Sequence, residues 1–481
     1  MTRSIPGNRP LHTFRAAASG AAVFLLGTLL PLASSAAAEP LRPCRIEIVE
    51  KGSGWPVPLV ELRTTHQVRL VSDNAGVVAL DLPEVMGEET WFEIRGHGYG
   101  VPADGFGNHG VRVVPRPGET VRIEVERSII ARRLGRLTGG GLFAENERTG
   151  GTAPAGREPR GVFGCDSVLV ATHRGRLHWA WGDTTVPRYP LGVFDTTGGT
   201  TVLHPLAAAI PPLHMPFDLF RDDAGRPRAI CPMPGQGPTW IGGLVSLPDA
   251  AGQERLVASY AKIRGTLEAY EAGLCIWDDA AAVFRPHRRV WTKSTATPRP
   301  PPLPDGHALR WRDGSGGDRV LFCNPFPMLA CGATLAAWED PATWEVLEPQ
   351  ATVPAATGVA VTPHRGSIAW NGFRGRWIGV FTEKFGTPSA FGEVWYAEAR
   401  SPTGPWGGAV KVLSHDNYSF YNPRLHPELT DPDGPVVVFE GTYSTMFAAD
   451  PPPTPRYDYN QILYRLDLDD PALGAAGRAA D

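Results

Sequence analysis

The sequence predicts an all-β protein, a five-bladed β-propeller preceded by a small β-sandwich domain. Three observations carry this expectation. Short apolar strands broken by turn residues fill the chain, whose 481 residues include 55 glycines and 48 prolines without a collagen period. A loose unit of three strands recurs five times from Gly164 onward, and such spacing marks propeller blades. Long stretches with a 3.6-residue apolar period are missing, which excludes a helical solenoid. With 42% hydrophobic and 20% charged residues, the chain can bury a sizeable core. A net charge of −4 offers a nucleic-acid partner no electrostatic footprint.

Residues 1–38 read as a targeting segment. Arg3, Arg9 and Arg15 precede the apolar stretch Ala21 to Leu32, and "SSAAAEP" supplies small residues for cleavage after Ala38. The apolar stretch is shorter than the ~20 residues a membrane span needs. The expected location is therefore periplasmic or secreted, with no membrane span. Six scattered cysteines form no CxxC pair. Export would permit disulfides, with Cys323 and Cys331 the best-placed pair, and buried free thiols are the alternative.

Residues 44–127 form the expected sandwich. "RIEIVE" alternates polar and apolar residues, as a half-buried strand does, and Asp73-Asn74-Ala75-Gly76 reads as a turn between two strands. Residues 128–162 are glycine-rich and read as a linker, within which "GLFAENE" could form an ordered strand closing the next domain. Residues 163–470 hold the five units, and 471–481 are expected as a disordered tail. Their middle strands centre near residues 179, 258, 322, 379 and 438.

Blade geometry gives the candidate chemistry. The second strand of a blade returns to the start of the first, so the ends of "GCDSVLVATHRGRLHWAWGDTT" should meet at one rim. Asp166 and Asp183 are thus the candidate catalytic carboxylates. One would protonate a glycosidic oxygen while the other attacks the anomeric carbon or activates water. Their surroundings must push the two pKa values apart. The same rule nominates Glu271, Asn324, His364, Arg365, Glu393, Asn422, Arg424, Glu440 and Tyr443 as substrate-binding residues. Lys262, Arg264, Glu383, Tyr421 and His426 lie on the same expected rim.

Plainer roles compete with each of these. The aspartates could cap turns, Glu393 could pair with an arginine at the rim, and Glu440 could be buried against a cation. Trp179, Trp181, Trp240, Trp370 and Trp395 could be sugar platforms or packing between blades. The histidines show no metal-binding spacing, so neither metal nor cofactor is expected, and an axial calcium has no support.

Two resemblances attach to these residues. "PVPLVEL", "SDNAG" and "GHGYG" follow the order found in carboxypeptidase regulatory-like, transthyretin-like domains, which implies a β-sandwich acting as a spacer or binding module. The five-unit region resembles the propeller glycosidases of the arabinanase, xylosidase and levansucrase-like group. It is similar above all to an exported bacterial propeller family linked to D-arabinan hydrolysis. Gly164, Asp166, Gly175-Arg176, Trp179 and Gly182-Asp183-Thr184 carry that likeness, which implies that Asp166 and Asp183 are catalytic. Departures exist: "PTWIGGLVSL" carries no acid where arabinanase-type enzymes place one, and "HALRWRD" offers no evident general acid. The expected function is an exported glycoside hydrolase acting on a polysaccharide or oligosaccharide. A non-catalytic glycan-binding propeller, or a cell-surface scaffold, is the alternative.

Overall fold

The computed structural model describes residues 41–154, 161–187, 189–193, 195–203, 206, 209–314, 316–448 and 458–479. The expected targeting segment lies outside these residues, as do residues 155–160 of the expected linker. Among the described residues the chain is nearly all-β, and no helix is long and apolar enough to cross a membrane.

The first region consists of two four-stranded sheets over one apolar core. Cys44–Glu50 pairs antiparallel with Val77–Leu80 and parallel with Thr120–Arg127. Glu61–Thr64 lies between Arg69–Val71 and Thr90–Arg95 in the other sheet. Alternation in "CRIEIVE" sends Cys44, Ile46 and Ile48 inward, where they meet Leu62, Phe92 and Ile94 of the second sheet. The Asp73–Gly76 turn follows from its side chain: Asp73 Oδ1 accepts the backbone N–H groups of Ala75 and Val77.

Among the described residues five four-stranded antiparallel sheets follow; the second, third and fourth are meanders, the first is interrupted by a hairpin that pairs with Gly164–Cys165, and the fifth is completed by a strand from before the first. Their first strands are Val168–His173, Thr239–Pro248, His307–Arg312, Pro363–Asn371 and Ser419–Leu425. Neighbouring sheets are tied to one another. The first strands of the first and second sheets lie together, as do those of the second and third, and those of the fourth and fifth. Gly366 N donates to Asn324 Oδ1 at 3.3 Å, linking the fourth sheet to the third. The fifth returns to the first through Ser167 N donating to Thr442 Oγ1 and Gln461 Nε2 donating to the Cys165 carbonyl, each at 2.9 Å. The succession of sheets is thereby closed.

Three expectations need correction. The strand that completes the fifth sheet is Arg132–Arg136, not "GLFAENE", whose second half lies in the short helix Ala144–Arg148. Leu134 is the reason: it is fully buried and packs with Leu463 and Val438, while the arginines around it find carbonyl partners. The segment 471–479 is not a disordered tail. It forms the turn Pro471–Leu473 and the helix Gly474–Ala479, and Leu473 and Ala476 are buried against the fourth and fifth sheets. Two small apolar contacts suffice to order it, and they carry no helical period that a sequence scan would catch. Finally, "GATLAAWED" is not one strand. It leaves its sheet at Gly332 and becomes the helix Leu335–Glu339, because Thr334 Oγ1 accepts the N–H of Ala337 as an N-cap.

All six cysteines are free and buried. Burial pushes the thiols of Cys165, Cys231 and Cys323 well above their ordinary range, which keeps them protonated and unreactive.

Candidate active site

The site begins with two glycines. Asp166 N donates to the Asp183 carbonyl, and Gly182 N donates back to the Asp166 carbonyl, both at 3.0 Å. A Cβ on residue 182 would stand 3.3 Å from the Asp166 Cβ, so glycine allows the two strands to close between the acids. A Cβ on residue 164 would come within 2.1 Å of the Tyr459 carbonyl oxygen. Gly164 therefore lets Tyr459 pass beside Asp166. The first and second strands of the first sheet thus deliver both aspartates to one rim.

Their surroundings differ. Asp183 is 8% exposed and receives one side-chain hydrogen bond, from Trp240 Nε1 at 2.9 Å. Burial, together with the negative charges of Asp166 and Asp195, pushes its pKa up to about 6. Asp166 is also raised by burial, but several donors oppose this. Ser167 Oγ donates to its Oδ1 at 2.5 Å, and the Tyr421 and Tyr459 hydroxyls stand near enough to favour the charged form. The Tyr421 hydroxyl is buried, and among the described residues Asp166 is the group it approaches. Asn422 Nδ2 donates to Ser167 Oγ, extending the chain of donors by one residue.

A third carboxylate, Asp195, enters from the turn before the third strand of the same sheet. Burial raises its pKa, while the Thr239 N–H, donated at 2.5 Å, and the Lys262 ammonium favour its charge. Lys262 is 2% exposed and is held by the Met233 and Gly237 carbonyls and by Thr239 Oγ1. Sequence reasoning missed Asp195, although the strand rule that placed Asp166 and Asp183 also brings a third strand to this rim.

The remaining motif residues serve the scaffold. Trp179 is buried, donates to Thr201 Oγ1 at 2.9 Å and stacks beside Trp181. Arg176 donates to Thr200 Oγ1 at 2.6 Å. Thr184 Oγ1 bonds Thr197 Oγ1 at 2.7 Å.

Of the other nominated residues, Asn422 joins the pair, and His364 and Arg365 lie at the start of the fourth sheet's first strand. Burial and the Arg365 and Lys384 cations push the His364 pKa down to about 4. Six sit elsewhere, each for a visible reason. Glu271 accepts from Tyr260 Oη at 2.9 Å and pairs with Arg289, within the second sheet. Asn324 spends its side-chain oxygen on the Gly366 N–H. Glu393 is fully buried and paired with Lys411 Nζ at 2.7 Å and Ser414 Oγ at 3.0 Å. Arg424 bonds Glu428 Oε1 at 2.5 Å and the Val170 carbonyl at 3.1 Å. Glu440 is buried with its carboxylate 2.7 Å from His426 Nε2. Tyr443 is buried with its hydroxyl on His97, between the first region and the fifth sheet. Among the proposed platforms, Trp179 and Trp181 are packing residues and Trp395 donates to Glu383 Oε2 at 3.0 Å, whereas Trp240 serves Asp183.

Comparison with known proteins finds no matching family model and no matching curated relative. Solved structures do align. An exo-1,5-α-L-arabinanase from a bovine ruminal metagenomic library is 10% identical, with a TM-score of 0.35, over 63% of this chain and 92% of the arabinanase. An exo-β-1,3-galactanase from Phanerochaete chrysosporium is 9% identical at a TM-score of 0.37, over 70% of this chain and 63% of that one. An α-L-arabinofuranosidase from Podospora anserina is 12% identical at 0.35, over 69% and 94%. Likenesses at these scores assign no activity to this chain.

Proposed function

We propose that the protein is an exported carbohydrate-active enzyme, a glycoside hydrolase that cleaves with Asp183 and Asp166. Its five closed sheets are read as the blades of a five-bladed propeller, and the first region as a carboxypeptidase regulatory-like β-sandwich. The basic, then apolar, then small-residue order of residues 1–38 supports export.

The observation that carries the proposal is the split environment of two adjoining carboxyls. Asp183, with its pKa near 6, faces two negative charges and one indole donor. It holds a proton at mildly acidic pH and can give it to the leaving oxygen. Burial raises the Asp166 pKa as well, and the hydroxyl donors around it, which Asp183 lacks, oppose that rise and favour its carboxylate. It attacks the anomeric carbon or takes a proton from the attacking water.

The test is to incubate the mature protein with plant, algal and bacterial polysaccharides and to follow released oligosaccharides. Asp166→Asn and Asp183→Asn, both folded, should each abolish the product. Binding without any product from the parent protein would move the assignment to a glycan-binding propeller. Products that survive both substitutions would remove the pair from the chemistry.

A further inference from the structure

We infer that a row of aromatic rings running outward from Tyr421 is an extended glycan-binding strip, seating the chain of a polymeric substrate beyond the carboxylate pair. Four rings touch in sequence, from a buried Tyr421 through the exposed Phe447 and a half-buried Phe391 to the exposed Phe385. Tyr421, whose hydroxyl stands beside Asp166, meets Phe447 at 5.8 Å between centroids. Phe447 meets Phe391 at 5.3 Å, and Phe391 meets Phe385 at 5.4 Å. His364 lies against Phe391 at 4.5 Å. The strip thus starts at the proposed reacting centre and continues across the rims of the fifth and fourth sheets.

Three observations argue for a ligand on these rings. The first is exposure: Phe385 is 70% and Phe447 58% exposed, although phenylalanine is ordinarily buried. A contiguous exposed apolar patch on a folded chain marks a binding surface. The second is backbone strain. Phe385 has φ +56° and Phe447 φ +67°, a left-handed conformation that a bulky residue adopts only at a steric cost. Placing phenylalanine at both positions costs stability and presents its ring to solvent, as expected where function sets the residue. The third is chemistry. The exposed Phe385 and Phe447 rings can each offer a face to the C–H side of a sugar, and Phe391, tilted against one and edge-to-face with the other, holds the two platforms together. The flanking Lys384, whose ammonium lies 5.7 Å from the Phe385 ring, and Arg365 are donors for hydroxyl or acidic substituents.

The occupant is a linear glycan of three or more units, because the strip is continuous with the carboxylate pair. The inference rests on the carbohydrate reading above and does not need turnover. Its test is therefore a binding measurement. Affinity electrophoresis in native gels containing arabinan, galactan, xylan or laminarin would compare the parent with Phe385→Ala, Phe447→Ala and the double variant. Phe106→Ala, at another exposed phenylalanine (94%) in the first region, is the control. Both target side chains are mostly exposed, so their removal leaves the core intact, and circular dichroism with thermal melting would verify this. We expect the parent and the control to be retarded by at least one glycan. Each single variant should bind about tenfold more weakly, with short oligosaccharides much less affected. A parent that runs unretarded in every gel, or variants retarded like the parent, overturns the strip. If the parent is retarded through these rings but releases no product, the strip stands and the hydrolase reading falls.

Discussion

Replacing Asp183 by asparagine should make the protein more stable at neutral pH, although it removes a residue from the proposed chemistry. Asparagine keeps the shape and can still accept the Trp240 hydrogen bond. What it removes is a buried negative charge that faces Asp166 and Asp195. The folded pKa of Asp183, about 6, lies above the ordinary 3.8. The folded state therefore holds this proton more tightly than the unfolded chain. The resulting stability is present below about pH 4 and is lost as pH rises through about 6. A rise of about two units corresponds to about 3 kcal/mol. For a domain of about 440 residues, whose unfolding entropy is about 0.9 kcal/mol/K, that is about 3 °C in Tm. Melting both proteins from pH 4 to pH 8 is the assay. Their Tm difference should be near zero at pH 4, open between pH 4 and 6, and level off above 7 with the variant higher. The repulsion from Asp166 and Asp195 is already part of that rise and is not counted again. His178 and His364, with pKa values near 4, move stability the opposite way. They are common to both proteins and cancel in the difference. A Tm difference that does not change with pH, or a variant less stable at pH 8, would refute the claim that Asp183 carries a buried, repelled charge.

Four further outcomes follow from the geometry. Ser167→Ala removes a donor from Asp166, so the acidic limb of the pH–rate profile should move to higher pH, with folding unchanged by circular dichroism. Gly164→Ala forces Tyr459 away from Asp166, and a ten-fold or larger loss of turnover is expected by order of magnitude, read as kcat against KM. Leu134→Ala opens a cavity where the fifth sheet is closed and should cost about 3 kcal/mol in urea unfolding. Phe447→Gly relieves a left-handed phenylalanine and should raise stability by up to about 1 kcal/mol by the same measurement, while weakening glycan binding.

How much of this was legible in the sequence depends on the kind of signal. Strands with period-two burial were readable, since "RIEIVE" and "RLHWAW" alternate or end as the pleat requires. The meeting of Asp166 and Asp183 was readable because hairpin return is a local rule. Contacts across hundreds of residues were not. Arg132–Arg136 looks like a basic linker, and its place is set by Leu463 and Tyr464, which no local pattern announces. Tyr443 and Glu393 were expected at the rim because strand ends reach it. Which face a side chain takes depends on partners such as His97 and Lys411, from other elements. Asp195 was hidden for another reason: it sits among small residues in "FDTTGGT", and nothing in that composition marks an acid held by the Thr239 N–H.

The aromatic strip is not legible in the sequence, because its exposed rings are phenylalanines on loops, which follow no strand or helix period. Backbone geometry gives them away more clearly than composition. Elsewhere, left-handed non-glycine residues such as Arg174 and Leu267 occupy hairpin turns, where that conformation matches the twist of the flanking strands. Phe385, Asn422, Phe447 and Tyr459 lie beside Asp166 or the rings leading from it, while Leu59, Ala209 and Asn417 take the same conformation elsewhere in the chain. At Phe385 and Phe447 the left-handed backbone turns a bulky ring to solvent, and there side-chain direction is set at a cost in stability. It follows that glycine at Phe385 or Phe447 should relax the backbone and weaken glycan binding in the same variant, an outcome that a merely structural role for either ring would not produce.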